Sequence, residues 1–163
     1  MSGSITTLHM LCGKIAAGKS TLSAKLGEAE KTIVISEDRW IDQLYRPDLQ
    51  TIADYFERSD RLRATLAPHV VSLLRAGVSV VLDFHANTLR SRAWMRALFE
   101  EAGASHQLHF LDVADEVCRA RMQARKAAGG SGVSDAEFDH VTSFFVPPDE
   151  TEGFNVIRYH GDV

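Results

Sequence analysis

The chain has 163 residues, a formal charge of −4, and 45% hydrophobic and 25% charged residues, an ordinary composition for a folded soluble protein that argues against disorder and against coating nucleic acid through a broad basic face. No apolar run approaches the ~18 residues of a membrane span, and Met1-Ser2-Gly3-Ser4-Ile5 sets no basic stretch before an apolar one, so a cytoplasmic chain with no membrane partner is expected. The length fits one domain over 1–163, and Cys12 and Cys118, outside any metal-ligand or C-x-x-C spacing, read as reduced, buried thiols.

Ile5 to Cys12 is an apolar strand-like run, and Thr21 to Glu30 reads as a helix. Between them stands Gly13-Lys14-Ile15-Ala16-Ala17-Gly18-Lys19-Ser20, a full match to G-x-x-x-x-G-K-[ST]. Thr32 to Ile35 is a short β-branched strand ending in Ser36-Glu37-Asp38. A helix runs from Asp38 to about Tyr45, where Arg46-Pro47 stops it, because proline disfavours helix at the residue before it. From Leu49 to Arg75, Ile52, Tyr55, Phe56, Leu62, Leu66, Val70, Leu73 and Leu74 recur at helical spacing, with Pro68 opening a second helix or kinking one. Val78 to Leu82 is a continuous apolar strand ending at Asp83, and Leu89 to Ala102 is a helix closed by Gly103. His106 to Val113 is a strand and Ala114 to Lys126 a helix, followed by the small, flexible stretch Ala127 to Ser134. Ser134 and Glu137 form a capping box for a further helix, which Phe144-Phe145-Val146-Pro147-Pro148 ends, and Asn155 to Tyr159 is the last strand.

Five strands alternating with helices predict an α/β fold on a parallel sheet, with ligands at the carboxyl ends of the strands. Gly13, Asp38 and Asp83 all fall at such ends and should meet in one crevice.

The glycine-rich loop predicts a site for a nucleoside triphosphate. Backbone amides from Gly13 through Gly18 to Thr21 would face the phosphates, with Lys14, Ile15, Ala16 and Ala17 between them. Lys19 would reach the β and γ oxygens, and the Ser20 hydroxyl would ligate Mg²⁺. Asp83, ending a buried strand, is the candidate acid for Mg²⁺, directly or through water. Asp38 is the candidate base toward an acceptor hydroxyl, with a helix N-cap as its alternative role, and Glu37 ranks behind it. His85 and Asn87, just beyond Asp83, are candidates to contact the acceptor. Arg121 and Arg125, four apart on one helix beside the flexible stretch, could clamp phosphates as a lid closes, whereas Arg119 reads as a solvated partner of Asp115 and Glu116. Arg90, Arg92 and Arg96, interleaved with Trp94, could bind an anionic acceptor but read rather as the wet face of a helix, with Trp94 as a packed side chain and Lys14 as pointing outward. His106 and His109 are no metal pair, since an odd offset in a strand sends them to opposite faces.

The succession G-K-I-A-A-G-K-S-T, I-S-E-D, V-V-L-D-F and R-A-R-M-Q-A-R resembles the P-loop kinase-like group labelled AAA-type ATPase domain 33, with chloramphenicol phosphotransferase, zeta toxins and polynucleotide 5′-kinases as relatives. The resemblance implies a three-layer αβα P-loop NTPase fold with sheet order 2-3-1-4-5, ATP as donor, Asp38 as the hydroxyl-activating carboxylate, and Arg121 and Arg125 as lid residues. It also implies that Asn155 to Arg158 lie beside the adenine. Polynucleotide kinases carry an arginine three residues after the aspartate, where this chain has Ile41. The expected activity is ATP-dependent, Mg²⁺-dependent phosphorylation of a small-molecule hydroxyl, with the segment Leu49 to Arg75 on the acceptor side. A polynucleotide 5′-hydroxyl acceptor is the second reading, and a non-metabolic ATP-dependent switch or ATPase module the third. A guanine switch is excluded because no N-K-x-D occurs.

Overall fold

The computed structural model describes residues 3–130 and 132–161; Ser131, in the small-residue stretch before Ser134, lies outside them. In chain order the elements are β1 (Thr7–Cys12), α1 (Lys19–Leu26), β2 (Thr32–Ser36), α2 (Glu37–Tyr45), α3 (Ile52–Arg75), β3 (Ser79–Asp83), α4 (Leu89–Ala102), β4 (Ser105–Leu111), α5 (Asp115–Ala127), α6 (Asp135–Thr142), a 3₁₀ turn (Glu150–Glu152) and β5 (Val156–Tyr159). The strands form one sheet in the order β2-β3-β1-β4-β5, every pair parallel. Central β1 aligns Met10 with Leu82 of β3 on one side and with Leu108 of β4 on the other, and these three inner strands, each flanked on both edges, carry the apolar runs that a sheet covered on both faces needs.

The pleat sorts the core into two layers. Leu8, Met10, Val80, Leu82, Leu108 and Phe110 pack against Leu62, Leu66 and Val70 of α3 and Met95, Leu98 and Phe99 of α4. Leu11, Val81 and Leu111 face the other way, onto Leu22 of α1, Cys118 and Met122 of α5 and Phe138 of α6. Helices on both faces of a parallel sheet make the three-layer αβα arrangement. Cys12 and Cys118 are free and buried. Among the described residues no helix is long and apolar enough to cross a membrane.

Two expectations change. Pro68 neither opens nor divides a helix: α3 runs 24 residues through it. Proline removes the donor to the Ala64 carbonyl, but Ala64 and Pro68 are exposed and water can replace it, while the buried stripe Leu62, Leu66, Val70 and Leu74 continues unbroken. Arg92 is not on a wet face: it is wholly buried, with Nε on Glu152 Oε1 at 2.8 Å and Nη1 on the carbonyls of Ala86 and Val146, both at 2.9 Å. Arg90 is exposed as expected, whereas half-buried Arg96 lies 4.2 Å over the Phe154 ring. A 3₁₀ turn capped by Asp149, not among the expected elements, brings Glu152 to Arg92; its signal, Asp149 three residues before Glu152, sits on an element too short to carry periodicity.

Candidate functional site

β1 ends at Cys12, and the chain turns through the glycine-rich loop into α1. Gly13 is buried, and a Cβ on it would sit 3.1 Å from Ala17 Cβ and 3.3 Å from Leu111 Cβ, tighter than ordinary contact, so the closeness of the loop to β4 favours glycine. Gly18 opens α1 at φ +107°, and Ala16 is held at φ +64°, a left-handed conformation that is strained for a residue with a Cβ. No side chain caps α1 and no acid stands in its first turn, while Ser36, Thr51, Thr88 and Ser134 cap α2, α3, α4 and α6. The amides that open α1 are therefore left for an anion.

The Lys19 ammonium donates to the carbonyls of Gly13 at 2.5 Å and Lys14 at 2.8 Å, which leaves one proton for a ligand. Burial lowers its pKa to about 8, against the pull of the Asp83 and Asp38 charges. Ser36 and Asp83 are register partners on adjacent β2 and β3, and β3 lies beside β1, so the strand ends that carry Asp38, Asp83 and the loop lie along one edge of the sheet. Asn87 turns away from the acceptor side assigned to it. Gly13 N donates to its Oδ1 at 2.9 Å, its Nδ2 donates to Gly13 O at 2.8 Å, and its own carbonyl accepts from Val146 N at 2.8 Å. Because Arg92 holds Ala86 and Val146, the buried arginine stands behind this clamp on the loop.

Asp38 is not a helix cap, because Ser36 takes that role. The Asp38 side chain is 67% exposed over the crevice; Tyr55 Oη donates to its Oδ1, and His85 Nε2 stands 3.6 Å from the same oxygen. Desolvation pushes its pKa up, but the donors His85 and Tyr55 and the Lys19 charge outweigh it and hold the carboxyl at about 2. Such a carboxylate stays ionised at any neutral pH and is a weak base. It can orient a hydroxyl and take its proton as the bond to phosphorus forms. Asp83 shifts the other way, raised by burial and by the Asp38 charge. A cation in the crevice would relieve that repulsion.

Glu37 is buried, with Arg63 Nε on its Oε2 at 2.8 Å; Arg63 Nη1 also donates to Ser91 Oγ at 2.9 Å, and its guanidinium lies 5.2 Å over the Trp94 ring. Ranking Glu37 behind Asp38 agrees with this, since its charge is spent on Arg63. Tyr55, which donates to Glu37 Oε1 at 3.3 Å as well as to Asp38, escapes the sequence because its place in the α3 apolar stripe reads as core. Only the polar end of an aromatic ring at such a position could have hinted otherwise.

Arg121 Nη1 donates to the carbonyls of Ala16 and Ala17 at 3.3 Å, so that arginine meets the loop, while Arg125 is exposed. Arg119 pairs with Asp139 and Asp135 of α6 and lies 4.6 Å over Phe138, rather than pairing with Asp115 and Glu116. Asp115 is taken by Lys14, at 2.5 Å; the Lys14 ammonium therefore turns to α5, and only its backbone belongs to the loop. His106 and His109 do face opposite ways: His106 stacks on Phe99 at 4.0 Å, and His109 bonds His9 at 3.0 Å and Tyr159 Oη at 2.8 Å. Asn155 lies at the amino end of the sheet, its backbone N–H donating to His106 Nε2, because β4 and β5 are parallel and it precedes β5. Of the stretch expected beside an adenine, Arg158 reaches the carboxyl edge, on Asp112.

The residues present fit a magnesium nucleoside triphosphate. They offer an uncapped helix start, a glycine that lets the loop pack closely on Leu111, a buried ammonium with a proton to spare, and the Ser20 hydroxyl and Asp83 carboxylate as hard oxygen donors for Mg²⁺. The AAA_33 family profile, described as an AAA domain, matches residues 8–148. No curated protein sequence matches the chain. Among solved structures, a proposed kinase from Chloroflexus aurantiacus superposes with a TM-score of 0.75 at 19% identity, over 96% of this chain and 85% of that one. The Mycobacterium tuberculosis APS kinase CysC, in complex with AMPPNP and APS, gives 0.63 at 21% identity, over 98% and 90%. A chain of the Pnkp1/Rnl/Hen1 RNA repair complex gives 0.68 at 22% identity, over 86% of this chain and 44% of that one. At these identities the likeness is one of fold.

Proposed function

Because the chain belongs to the AAA_33 family, we propose that it is, as one domain over 1–163, an ATP-dependent kinase that phosphorylates a hydroxyl of a small molecule. One observation carries the reading: a phosphate loop with an uncapped helix start and a buried Lys19 faces an ionised, exposed carboxylate, Asp38, across one crevice. The likeness in fold to an APS kinase solved with AMPPNP and APS supports ATP as the donor. When bound, ATP supplies the γ-phosphoryl group, and Mg²⁺ neutralises part of its charge.

The amides from Gly13 to Thr21 hold the phosphates, Lys19 neutralises them, and Ser20 and Asp83 hold the metal. Asp38 orients the acceptor hydroxyl and takes its proton. Arg121, against the loop carbonyls, and Arg125, at the end of α5, add positive charge from the lid side. Asp38→Asn should leave ATP binding intact and lower transfer by ~10²-fold or more, whereas Lys19→Ala should weaken both. ADP release stimulated by members of a panel of hydroxyl-bearing metabolites and antibiotics tests the acceptor class. Stimulation by none of them, or full transfer by Asp38→Asn, overturns the reading.

A 5′-hydroxyl polynucleotide acceptor is the second reading, favoured by the likeness to the RNA repair complex. Against it, the position where polynucleotide kinases carry arginine holds Ile41, which is 1% exposed and packs into the core. Stimulation by a 5′-hydroxyl oligonucleotide would promote this reading, and stimulation by a protein alone would favour the switch.

A further inference from the structure

Asp38 is unevenly held. Tyr55 Oη donates to Oδ1, and His85 Nε2 stands 3.6 Å from that same atom, while no donor among the described residues bonds Oδ2. Tyr55 is itself tied down: its hydroxyl also reaches Glu37 Oε1 at 3.3 Å, and Glu37 is locked to Arg63, which Ser91 Oγ holds at 2.9 Å and the Phe84 and Trp94 rings flank at 5.5 and 5.2 Å. A chain of bonded groups thus runs from α4 through α3 to the first turn of α2. It ends on one oxygen of an otherwise solvent-exposed carboxylate.

We propose that Tyr55 is a positioning residue that fixes Asp38 by Oδ1 and so commits Oδ2 as the atom that receives the acceptor proton; this rests on the reading of Asp38 as the base. An exposed aspartate rotates about its side-chain bonds, and a base gains its effect only when the accepting atom is held within hydrogen-bond reach of the hydroxyl. Oδ1 already accepts from the Tyr55 hydroxyl and faces the His85 ring nitrogen, so its position is held and its capacity for a further donor is reduced. Oδ2, with no donor among the described residues on an exposed side chain, keeps both lone pairs for an incoming hydroxyl. In the step itself the acceptor O–H proton passes to Oδ2 as the acceptor oxygen bonds to phosphorus, the bond from phosphorus to the β-bridging oxygen breaks, and ADP leaves.

The acceptor is unidentified, so the probe is water: release of labelled phosphate from [γ-³²P]ATP with Mg²⁺ over long incubations, beside AMPPNP affinity by calorimetry. Tyr55→Phe removes one hydroxyl and keeps the ring. It should lower the rate at saturating ATP by ~10-fold, with the KM for ATP and the AMPPNP affinity within about twofold of wild type. In the Asp38→Asn background the same substitution should change the rate by less than about twofold, because Tyr55 then has no carboxylate to hold. A purely structural role for Tyr55 would lower the rate in both backgrounds and would overturn the proposal, as would Tyr55→Phe at wild-type rate. If AMPPNP binds but wild type hydrolyses ATP no faster than Asp38→Asn, Asp38 is not the base, and the proposal falls while the nucleotide site stands. No AMPPNP binding at all removes both.

Discussion

Arg92 gives the sharpest test of the packing behind the phosphate loop. Arg92→Met keeps most of the aliphatic stem and removes the guanidinium, which deprives the 15% exposed Glu152 carboxylate of its partner and the Ala86 and Val146 carbonyls of a donor. Removing one member of a buried pair costs ~3–5 kcal/mol. Against this, Arg92 Nη2 is buried with no hydrogen-bond partner among the described residues, and relieving such an atom returns ~1–3 kcal/mol. The net loss expected is about 2 kcal/mol, which lowers Tm by roughly 4–8 °C at this chain length. Urea titration at pH 7.5 and a thermal scan both measure it. Glu152→Gln added to Arg92→Met should recover part of the loss, since the stranded charge is then gone. The sign with pH is fixed as well: Arg92 helps hold the Glu152 carboxyl below its ordinary value, so the pair stabilises above that value and the contribution fades as pH falls through the acid range. A loss below about 0.5 kcal/mol at pH 7.5, or one unaffected by Glu152→Gln, would refute the reasoning.

Gly13→Ala should lower AMPPNP affinity by at least ~10-fold, because the new Cβ at 3.1 Å from Ala17 and 3.3 Å from Leu111 pushes the loop off β4; calorimetry that finds wild-type affinity contradicts the close approach. Burial and the neighbouring His9 hold His109 at about 4, well below the ordinary histidine value. Its neutral form therefore stabilises the fold fully above about pH 6.5, and the contribution is lost as pH falls from there toward 4. The urea midpoint should drop between pH 7 and 5 in wild type and less in His109→Gln; equal slopes would contradict this. Lys19, with a pKa of about 8, should make AMPPNP affinity fall as pH rises through that value, while a flat profile from pH 7 to 9 would show the ammonium unperturbed.

The fold is legible in the chain wherever a local pattern answers to a local force. Val80, Val81 and Leu82 read as a strand buried on both faces because they are one. The loop from Gly13 to Ser20 is legible because the turn and the anion contact need particular residues at fixed spacing. Asp38 and Asp83 follow from topology alone, since parallel strands put their carboxyl ends on one side. What escapes depends on contacts distant in sequence. Arg92 reads as a surface residue until Glu152 folds back 60 positions later to neutralise it. Tyr55 reads as one more apolar contact until the first turn of α2 comes under its hydroxyl. Asn87 sits just past a candidate metal ligand and is drawn instead to the backbone of Gly13, 74 positions earlier. Pro68 misleads in the opposite sense, because burial of the neighbouring stripe outweighs one lost hydrogen bond.

The central claim is that the uncapped start of α1 and the Lys19 ammonium hold the phosphates of ATP. Isothermal calorimetry of the whole chain with AMPPNP and Mg²⁺ tests it most directly. The account predicts saturable binding of one nucleotide per chain, retained in Asp38→Asn and weakened by ~10-fold or more in Lys19→Ala; no heat of binding to the folded wild-type chain, or equal affinity in Lys19→Ala, would contradict it.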